Sequence, residues 1–221
     1  MTLIVGVLTN VKNYLIADKM HSLDGTKENP VTATVKTGET TIKLSSPKIR
    51  IDGGTKIYQL TDNILIAGAG DLEKVKNFIQ AIKEETAGTI IEKTQDYYTD
   101  YKTNSPDSLL ILIKKAGVSA HFFSLDLSEA QKDEMFSFVD WKLVINENSI
   151  GVLAIGSGMQ IFQSMYKSIK NDCLERYREA IRKNEYSKWE TWFIGKIKQM
   201  YTDVSKYDDA VSDDIDIIEL Q

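Results

Sequence analysis

The chain has 221 residues, of which 42% are hydrophobic and 27% charged, with a formal net charge of −5 and a pI near 5.2. These values predict one compact domain with a substantial core. The acidic balance excludes a dedicated nucleic-acid surface, because phosphate binding needs clustered Lys and Arg in excess. A single cysteine, Cys173, excludes an intramolecular disulfide, and His21 and His121 lie too far apart for zinc-ligand spacing.

Membrane association is not indicated by the sequence. The apolar run Leu3 to Leu8 is far shorter than the roughly 20 residues that span a bilayer. It also lacks the basic flank and the small-residue cleavage site of a signal peptide. We therefore expect a soluble, cytoplasmic protein.

The first eighteen residues, MTLIVGVLTNVKNYLIAD, combine a hydroxyl residue with a hairpin pattern. Leu3 to Leu8 and Tyr14 to Ala17 flank the turn Thr9 to Asn13, which predicts two paired strands. Asp18 follows the second strand and would lie beside the start of the first. If the initiator methionine is removed, Thr2 carries both a hydroxyl nucleophile and a free α-amine with a pKa of about 8, which can act as its base. The alternative is a frayed terminus with no role.

Residues 19–54 predict a second, more polar hairpin, formed by Val31 to Lys36 and Thr40 to Leu44. The hairpin has two possible roles, a rim or substrate-channel element or an inert surface loop. Two strands follow, Lys56 to Leu60 and Ile64 to Ala67. The period of apolar residues then predicts two helices, the first with a stripe from Leu72 to Ile82 and the second with a stripe from Ile90 to Tyr101.

The second half of the chain repeats this order of strands followed by paired helices. The predicted strands are Ser108 to Lys114, Val118 to Leu125, Met135 to Ile145, Ile150 to Ile155 and Asp214 to Leu220. A long helix from Met159 carries Cys173 in its apolar stripe, as expected of a buried packing residue rather than a nucleophile. Ser187 and Glu190 have the spacing of a capping box for the last helix. This order favours a layered α+β fold.

The run TLIVGV…LIAD resembles the start of proteasome β-type subunits and of their bacterial HslV-like ring-protease relatives, which are N-terminal-nucleophile hydrolases. Three more segments match in order: TKIYQL…ILIAGAGD at 55–71, AIGSG at 154–158 and DAVS…IDIIEL at 209–220. The resemblance implies a four-layer αββα sandwich that spans residues 1–221 as a single domain. The connection at about 19–54 is longer than in that family, which indicates an inserted surface hairpin.

The resemblance also implies a set of site residues. The catalytic candidates are Thr2, Asp18, Lys56, Ser157, Asp209 and Ser212. A lysine beside the threonine hydroxyl, paired with Asp18, would lower the hydroxyl pKa. Gly68 would offer its N–H to the oxyanion, and Ser22 and Ile66 would contact the substrate.

Three features depart from the family pattern. Asp213 and Asp214 follow Ser212 where the family has small residues, and Asp208 competes with Asp209 for the family position. Met20 stands where many active subunits carry arginine. The turn at 156–158 also precedes a helix, as phosphate-binding turns do, but three residues are too short a motif to support that interpretation.

The sequence therefore favours a threonine-type peptidase that cleaves peptide bonds, with no metal or organic cofactor. The resemblance implies polypeptide substrates and a homo-oligomeric ring, and it is compatible with an ATP-dependent unfoldase partner. Two alternatives stay open. They are a catalytically silent ring subunit or scaffold, which a retained initiator methionine would produce, and an amidase acting on small molecules.

Overall fold

A computed structural model describes residues 2–24, 31–37, 40–46, 48–51, 54–101, 105–114, 120–126, 139–141 and 149–220. Of these, residues 21–24, 31–37, 40–46, 48–51, 120–122, 125–126 and 139–141 are described by their backbone alone. The strands within these ranges are Leu3–Leu8 (β1), Asn13–Asp18 (β2), His21–Asp24 (β3), Val31–Thr37 (β4), Thr40–Ser46 (β5), Lys48–Ile51 (β6), Ile57–Thr61 (β7), Ile64–Ala69 (β8), Ser108–Lys114 (β9), Ala120–Asp126 (β10), Val139–Trp141 (β11), Gly151–Gly156 (β12) and Ile215–Leu220 (β13). The helices are Leu72–Ile82 (α1), Ile90–Asp100 (α2), Met159–Lys183 (α3) and Tyr186–Ser205 (α4).

Two larger antiparallel sheets form the centre of the fold. The first has the strand order β12-β1-β2-β13, so both chain ends of the described structure lie in one sheet. The second has the order β11-β10-β9-β8-β7. The predicted N-terminal hairpin is confirmed, with Ile4 opposite Ala17 and Leu8 opposite Asn13.

Side-chain alternation along β1 and β8 assigns these sheets to inner layers. In β1, Leu3 and Val5 pack against α3 and α4, whereas Ile4 faces the second sheet. In β8, Leu65 faces the first sheet, whereas Ile66 packs against α1 and α2. Alternate residues of a strand point to opposite faces, so three apolar cores separate four layers. The molecule is a four-layer αββα sandwich, as the sequence predicts.

The region 19–54 contains strands of its own. Strand β4 pairs with β5 from Val31 opposite Ser46 to Thr37 opposite Thr40, which confirms the predicted second hairpin. Strand β3 pairs with β6.

Two predicted local features differ from the structure. Helix α4 begins at Tyr186 with Glu185 as its N-cap, and no side chain caps it. The predicted capping box of Ser187 and Glu190 is therefore wrong, because Glu190 is engaged instead with Lys12 and Tyr14 of the hairpin. Of the predicted strand Met135 to Ile145, the structure describes only β11, and the rest lies outside the described residues.

Candidate functional site

Thr2 and Asp18 meet where the β1–β2 pairing ends. The backbone ladder of these strands begins at Ile4 and Ala17, so the residues just beyond it need other partners. The Asp18 carboxylate supplies them, because its Oδ1 accepts hydrogen bonds from Thr2 Oγ1 and from the Leu3 N–H at 2.8 Å. The last side chain of β2 thus fixes the residue that precedes β1.

Lys56 reaches the same point from the second sheet. It immediately precedes β7, whose Ile57 packs with Ala17 in the core between the sheets. The Lys56 Nζ donates to Asp18 Oδ2 at 2.8 Å and to Thr2 Oγ1. Thr2, Asp18 and Lys56 are 1%, 0% and 3% exposed, so a hydroxyl, a carboxylate and an ammonium are brought together away from bulk water.

Further donors surround the Asp18 carboxylate. Its Oδ2 accepts from the backbone N–H of Met20 at 3.2 Å and of Ser212 at 3.4 Å. Burying a carboxylate is tolerated when it is paired with a cation and its lone pairs are satisfied. The Ser212 contact also attaches the segment before β13 to the site.

Chemically, the three side chains are arranged around the threonine oxygen. Thr2 Oγ1 donates to the carboxylate and accepts from the ammonium. Negative charge that develops on this oxygen would be stabilised by Lys56, and such an interaction is stronger in a buried site than in water. The arrangement fits an activated hydroxyl nucleophile.

The glycine-serine-glycine turn at 156–158 holds the backbone of Thr2. Gly156 has a φ of 94°, and a Cβ built there would lie 2.3 Å from the Thr2 carbonyl oxygen. That oxygen accepts a hydrogen bond from the Gly158 N–H at 3.5 Å and lies 3.4 Å from Ser157 Oγ. A glycine is required at 156 because only it combines positive φ with this close approach. The turn therefore positions Thr2, and Ser157 contacts its carbonyl oxygen.

Ser157 has an acidic partner next in sequence to the predicted catalytic residue Asp209. Ser157 Oγ donates to Asp208 Oδ2 at 2.6 Å, and the other oxygen of that carboxylate accepts from the Ala210 N–H at 3.0 Å. Asp209, the predicted catalytic residue, is exposed. The turn after α4 thus brings the Asp208 carboxylate to Ser157. The Ser212 hydroxyl accepts from the Asp214 N–H at 3.0 Å, so it is the Ser212 backbone that contacts Asp18.

Gly68, the predicted oxyanion donor, uses its N–H within the sheet. This N–H donates to the Lys56 carbonyl at 3.3 Å. A Cβ at this position would lie 3.0 Å from Val75 Cγ1, so packing of α1 on β8 already favours a glycine there. An oxyanion role for Gly68 stays a prediction, and it requires the N–H to be shared with, or released from, the Lys56 carbonyl.

Of the two predicted substrate contacts, Ile66 and Ser22, Ile66 is not exposed to a substrate. Ile66 is fully buried in the core beneath α1 and α2, with Phe78 and Tyr98, and has no exposed surface to offer a substrate. Ser22 lies in β3 opposite Arg50, and its side chain lies outside the described residues.

Tyr201 is a site neighbour that the sequence did not reveal. Its hydroxyl, fully buried beneath the first sheet, shares its single proton between the Ile16 carbonyl oxygen at 2.9 Å and the Leu3 carbonyl oxygen at 3.2 Å. Burial, together with the nearby negative charge of Asp18, raises its pKa well above the usual value. The available signal was its position in the apolar stripe of the last helix, where a tyrosine needs a partner for its hydroxyl.

The part of the chain that the structure describes contains no group of three or more His, Cys, Asp or Glu side chains that could hold a metal ion. It has no helix that is both long and apolar enough to cross a membrane.

Comparison with known proteins identifies a fold neighbour but no sequence relative. No protein-family model matches the chain, and no curated protein matches it. The structure is similar to the crystal structure of eukaryotic HslV from Trypanosoma brucei, with a TM-score of 0.54 over 98% of both chains. The sequence identity is 12%, so the likeness establishes the fold. This chain has an HslV-like fold.

Proposed function

We propose that this protein is a threonine peptidase in which Thr2 becomes the N-terminal nucleophile after removal of Met1. The observation that carries the proposal is the position of Thr2 Oγ1, buried between the Asp18 carboxylate and the Lys56 ammonium. A frayed terminus would be exposed and without fixed partners. The HslV-like fold supports the same assignment.

The proposed reaction uses the α-amine of Thr2 as the base. As Oγ1 attacks the substrate carbonyl carbon, its proton passes to this amine, which has a pKa of about 8 when free. The Lys56 ammonium stabilises the charge on the attacking oxygen, and Asp18 holds that ammonium in place. The C–N bond then breaks, the leaving nitrogen takes the proton, and an ester to Thr2 remains. Water, deprotonated by the same amine, hydrolyses the ester and restores Thr2.

Ser157 and Asp208 would serve this step by orienting the N-terminal residue. The Ser157 hydroxyl has one proton, and the shorter, charge-assisted bond is the one to Asp208. Its lone pairs are then available to accept from the ammonium of the freed terminus. In this proposal Asp208 is the acidic residue at the N-terminal threonine, the role for which the sequence predicted Asp209.

The wider organisation belongs to the same proposal. Residues 1–221 would form one domain with an inserted hairpin at 19–54, and copies of the chain would close into a ring that encloses the sites. Polypeptides delivered by an ATP-dependent unfoldase in the cytoplasm would be the substrates. Sedimentation velocity tests the assembly, because a dozen or more chains per particle supports the ring, whereas a monomer or dimer favours the small-molecule amidase.

One observation favours a second candidate, a catalytically silent ring subunit. The Gly68 N–H, which the resemblance assigns to the oxyanion, donates to the Lys56 carbonyl. Loss of one oxyanion donor typically costs a factor of about 100–1,000 in kcat. A silent subunit would keep the ring-forming surfaces and lack turnover.

The deciding experiment is the intact mass of the protein before and after treatment with a peptide epoxyketone, which needs both a hydroxyl and a free α-amine on one residue. We expect a mass without Met1 that gains one inhibitor adduct. Thr2→Ala should gain none, whereas Thr2→Ser, which keeps a hydroxyl and an amine, should still react. A wild-type protein that retains Met1 and forms no adduct would refute the peptidase and leave the silent subunit.

A further inference from the structure

The backbone ladder between β1 and β2 stops short of the point where the reacting groups lie. The ladder between these strands begins at Ile4 and Ala17. Thr2 and Asp18 lie beyond it, and each backbone is held from its other side, Thr2 by the Gly158 N–H and Asp18 by β13. Direct ties between these two strand ends are therefore made by side chains. The Leu3 N–H bond to Asp18 Oδ1 is one such tie, and it joins the first strand to the carboxylate.

Tyr201 supplies a second tie from beneath the sheet. Its hydroxyl bridges the Leu3 carbonyl of β1 and the Ile16 carbonyl of β2. Leu3 is one position from Thr2, and Ile16 is two positions from Asp18. A donor shared by both strands therefore constrains the separation of the nucleophile from its carboxylate, without touching either side chain.

The ring of Tyr201 is itself held in place. It is fully buried in the core formed by the first sheet with α3 and α4, and Phe162 packs edge-on against it with ring centroids 6.3 Å apart. Its raised pKa keeps the hydroxyl protonated, so it remains a donor over the working pH range. One turn further on, α4 packs Val204 against Gly158 of the turn that holds the Thr2 carbonyl.

We infer that Tyr201 is a positioning residue, which holds β1 and β2 at the separation at which Thr2 Oγ1 bonds to both Asp18 and Lys56. This inference rests on the proposed peptidase for its kinetic consequence, but its structural part stands separately. Removing only the hydroxyl leaves the core filled and lets the Leu3 end of β1 move away from β2. The nucleophile then spends less time between its two charged partners.

Tyr177 provides a matched control. It is equally buried in the same core, and its hydroxyl also bonds to the β1–β2 hairpin, at Asn10 in the turn. Tyr177→Phe therefore also removes a buried tyrosine hydroxyl that bonds to the β1–β2 hairpin, but at its turn rather than at its open end. Any general cost of losing a buried tyrosine hydroxyl should appear in both variants.

The test compares Tyr201→Phe and Tyr177→Phe in the full-length protein. With a peptide substrate we expect Tyr201→Phe to lower kcat about tenfold, with KM within about twofold, because transition-state positioning rather than binding is lost. Tyr177→Phe should leave both constants within about twofold of the wild type. Amide hydrogen exchange at Leu3 should be faster in Tyr201→Phe alone.

Failure of this inference is separable from failure of the proposed function. If the wild type forms no epoxyketone adduct, the peptidase is refuted, and Leu3 exchange alone decides the role of Tyr201. Equal rates of amide exchange at Leu3 in Tyr201→Phe and Tyr177→Phe would overturn the positioning role. In an active enzyme, equal kcat values for the two variants would also overturn it. Faster exchange at Leu3 in Tyr201→Phe, with Tyr177→Phe unchanged, would support it.

Discussion

The two ends of the β1–β2 hairpin both carry a lysine paired with acids, and they differ in their access to water. At the turn, Lys12 lies 3.1 Å from Glu190 and from Glu219, with side chains that are 23–42% exposed. At the open end, Lys56 lies 2.8 Å from Asp18, with side chains that are 4% and 0% exposed. Exposed pairs contribute little to stability, and buried pairs often gain less from attraction than they lose by desolvation. The buried pair is therefore better explained by its effect on Thr2 than by stability.

The largest expected effect comes from replacing one lysine at each end by methionine. Lys56→Met leaves the Asp18 charge buried without its cation, so we expect the free energy of unfolding to fall by about 3–5 kcal/mol. Lys12→Met should cost about 1 kcal/mol or less, because water replaces the lost partner. Urea denaturation of both variants measures the difference. Equal losses would contradict the distinction between the two ends.

A smaller effect is expected from adding a methyl group to one glycine at the site and one distant from it. Gly156→Ala combines a positive φ with a Cβ that would collide with the Thr2 carbonyl, so it should cost about 2 kcal/mol or more. Gly195→Ala in α4 meets nothing within 4 Å and should stabilise the protein by about 0.5–1 kcal/mol.

Thermal unfolding of both glycine variants provides the measurement. A Gly156→Ala protein as stable as the wild type would show that the turn at 156–158 does not hold Thr2 as described. Its reactivity with the epoxyketone should also fall below that of Gly195→Ala.

A third prediction distinguishes the two adjacent aspartates. Asp208→Asn replaces a charged acceptor of Ser157 by a neutral one, which weakens that bond by about 1 kcal/mol and should lower kcat/KM about fivefold. Asp209→Asn should leave kcat/KM within about twofold of the wild type. Steady-state kinetics with a peptide substrate decides the assignment. The reverse ranking would restore Asp209 to the role that the family pattern gives it.

The smallest expected effect is at Cys173. Burial raises the pKa of this thiol to about 12, so the reactive thiolate is scarce at pH 8 in the folded state and appears only on unfolding. Incubation of the native protein with a thiol reagent at pH 8 should leave both mass and activity unchanged. Rapid modification of the native protein, followed by loss of activity, would contradict a purely packing role.

The parts of the site that the sequence predicted are those defined by local pattern. The hairpin follows from alternation around a turn, and Asp18 falls at its open end because the register of two paired strands determines which residues are opposite. Lys56 and the turn at 156–158 were located by resemblance, and the structure brings both to Thr2.

The parts that escaped prediction depend on tertiary geometry. Asp208 and Asp209 have the same side chain, and only the path of the turn after α4 decides which one reaches Ser157. The hydrogen bond of Gly68 depends on where Lys56 sits across the strand pair. From the sequence, Tyr201 is one member of the apolar stripe of α4. A role for its hydroxyl follows only from the position of the Leu3 and Ile16 carbonyl groups above it. Glu190 has capping-box spacing, but the hairpin turn competes for its carboxylate.

The order in which the chain is synthesised has a consequence for this site. Asp18 is made sixteen residues after Thr2, but its contact with the Ser212 N–H joins positions 194 residues apart. Strand β13, which pairs with β2, is also the last strand that the structure describes. Folding on the ribosome can therefore form the hairpin early, yet the site is completed only after Ser212 and β13 have emerged. A nascent or truncated chain without these residues would lack the finished arrangement, which delays any activity of Thr2 until they have been made.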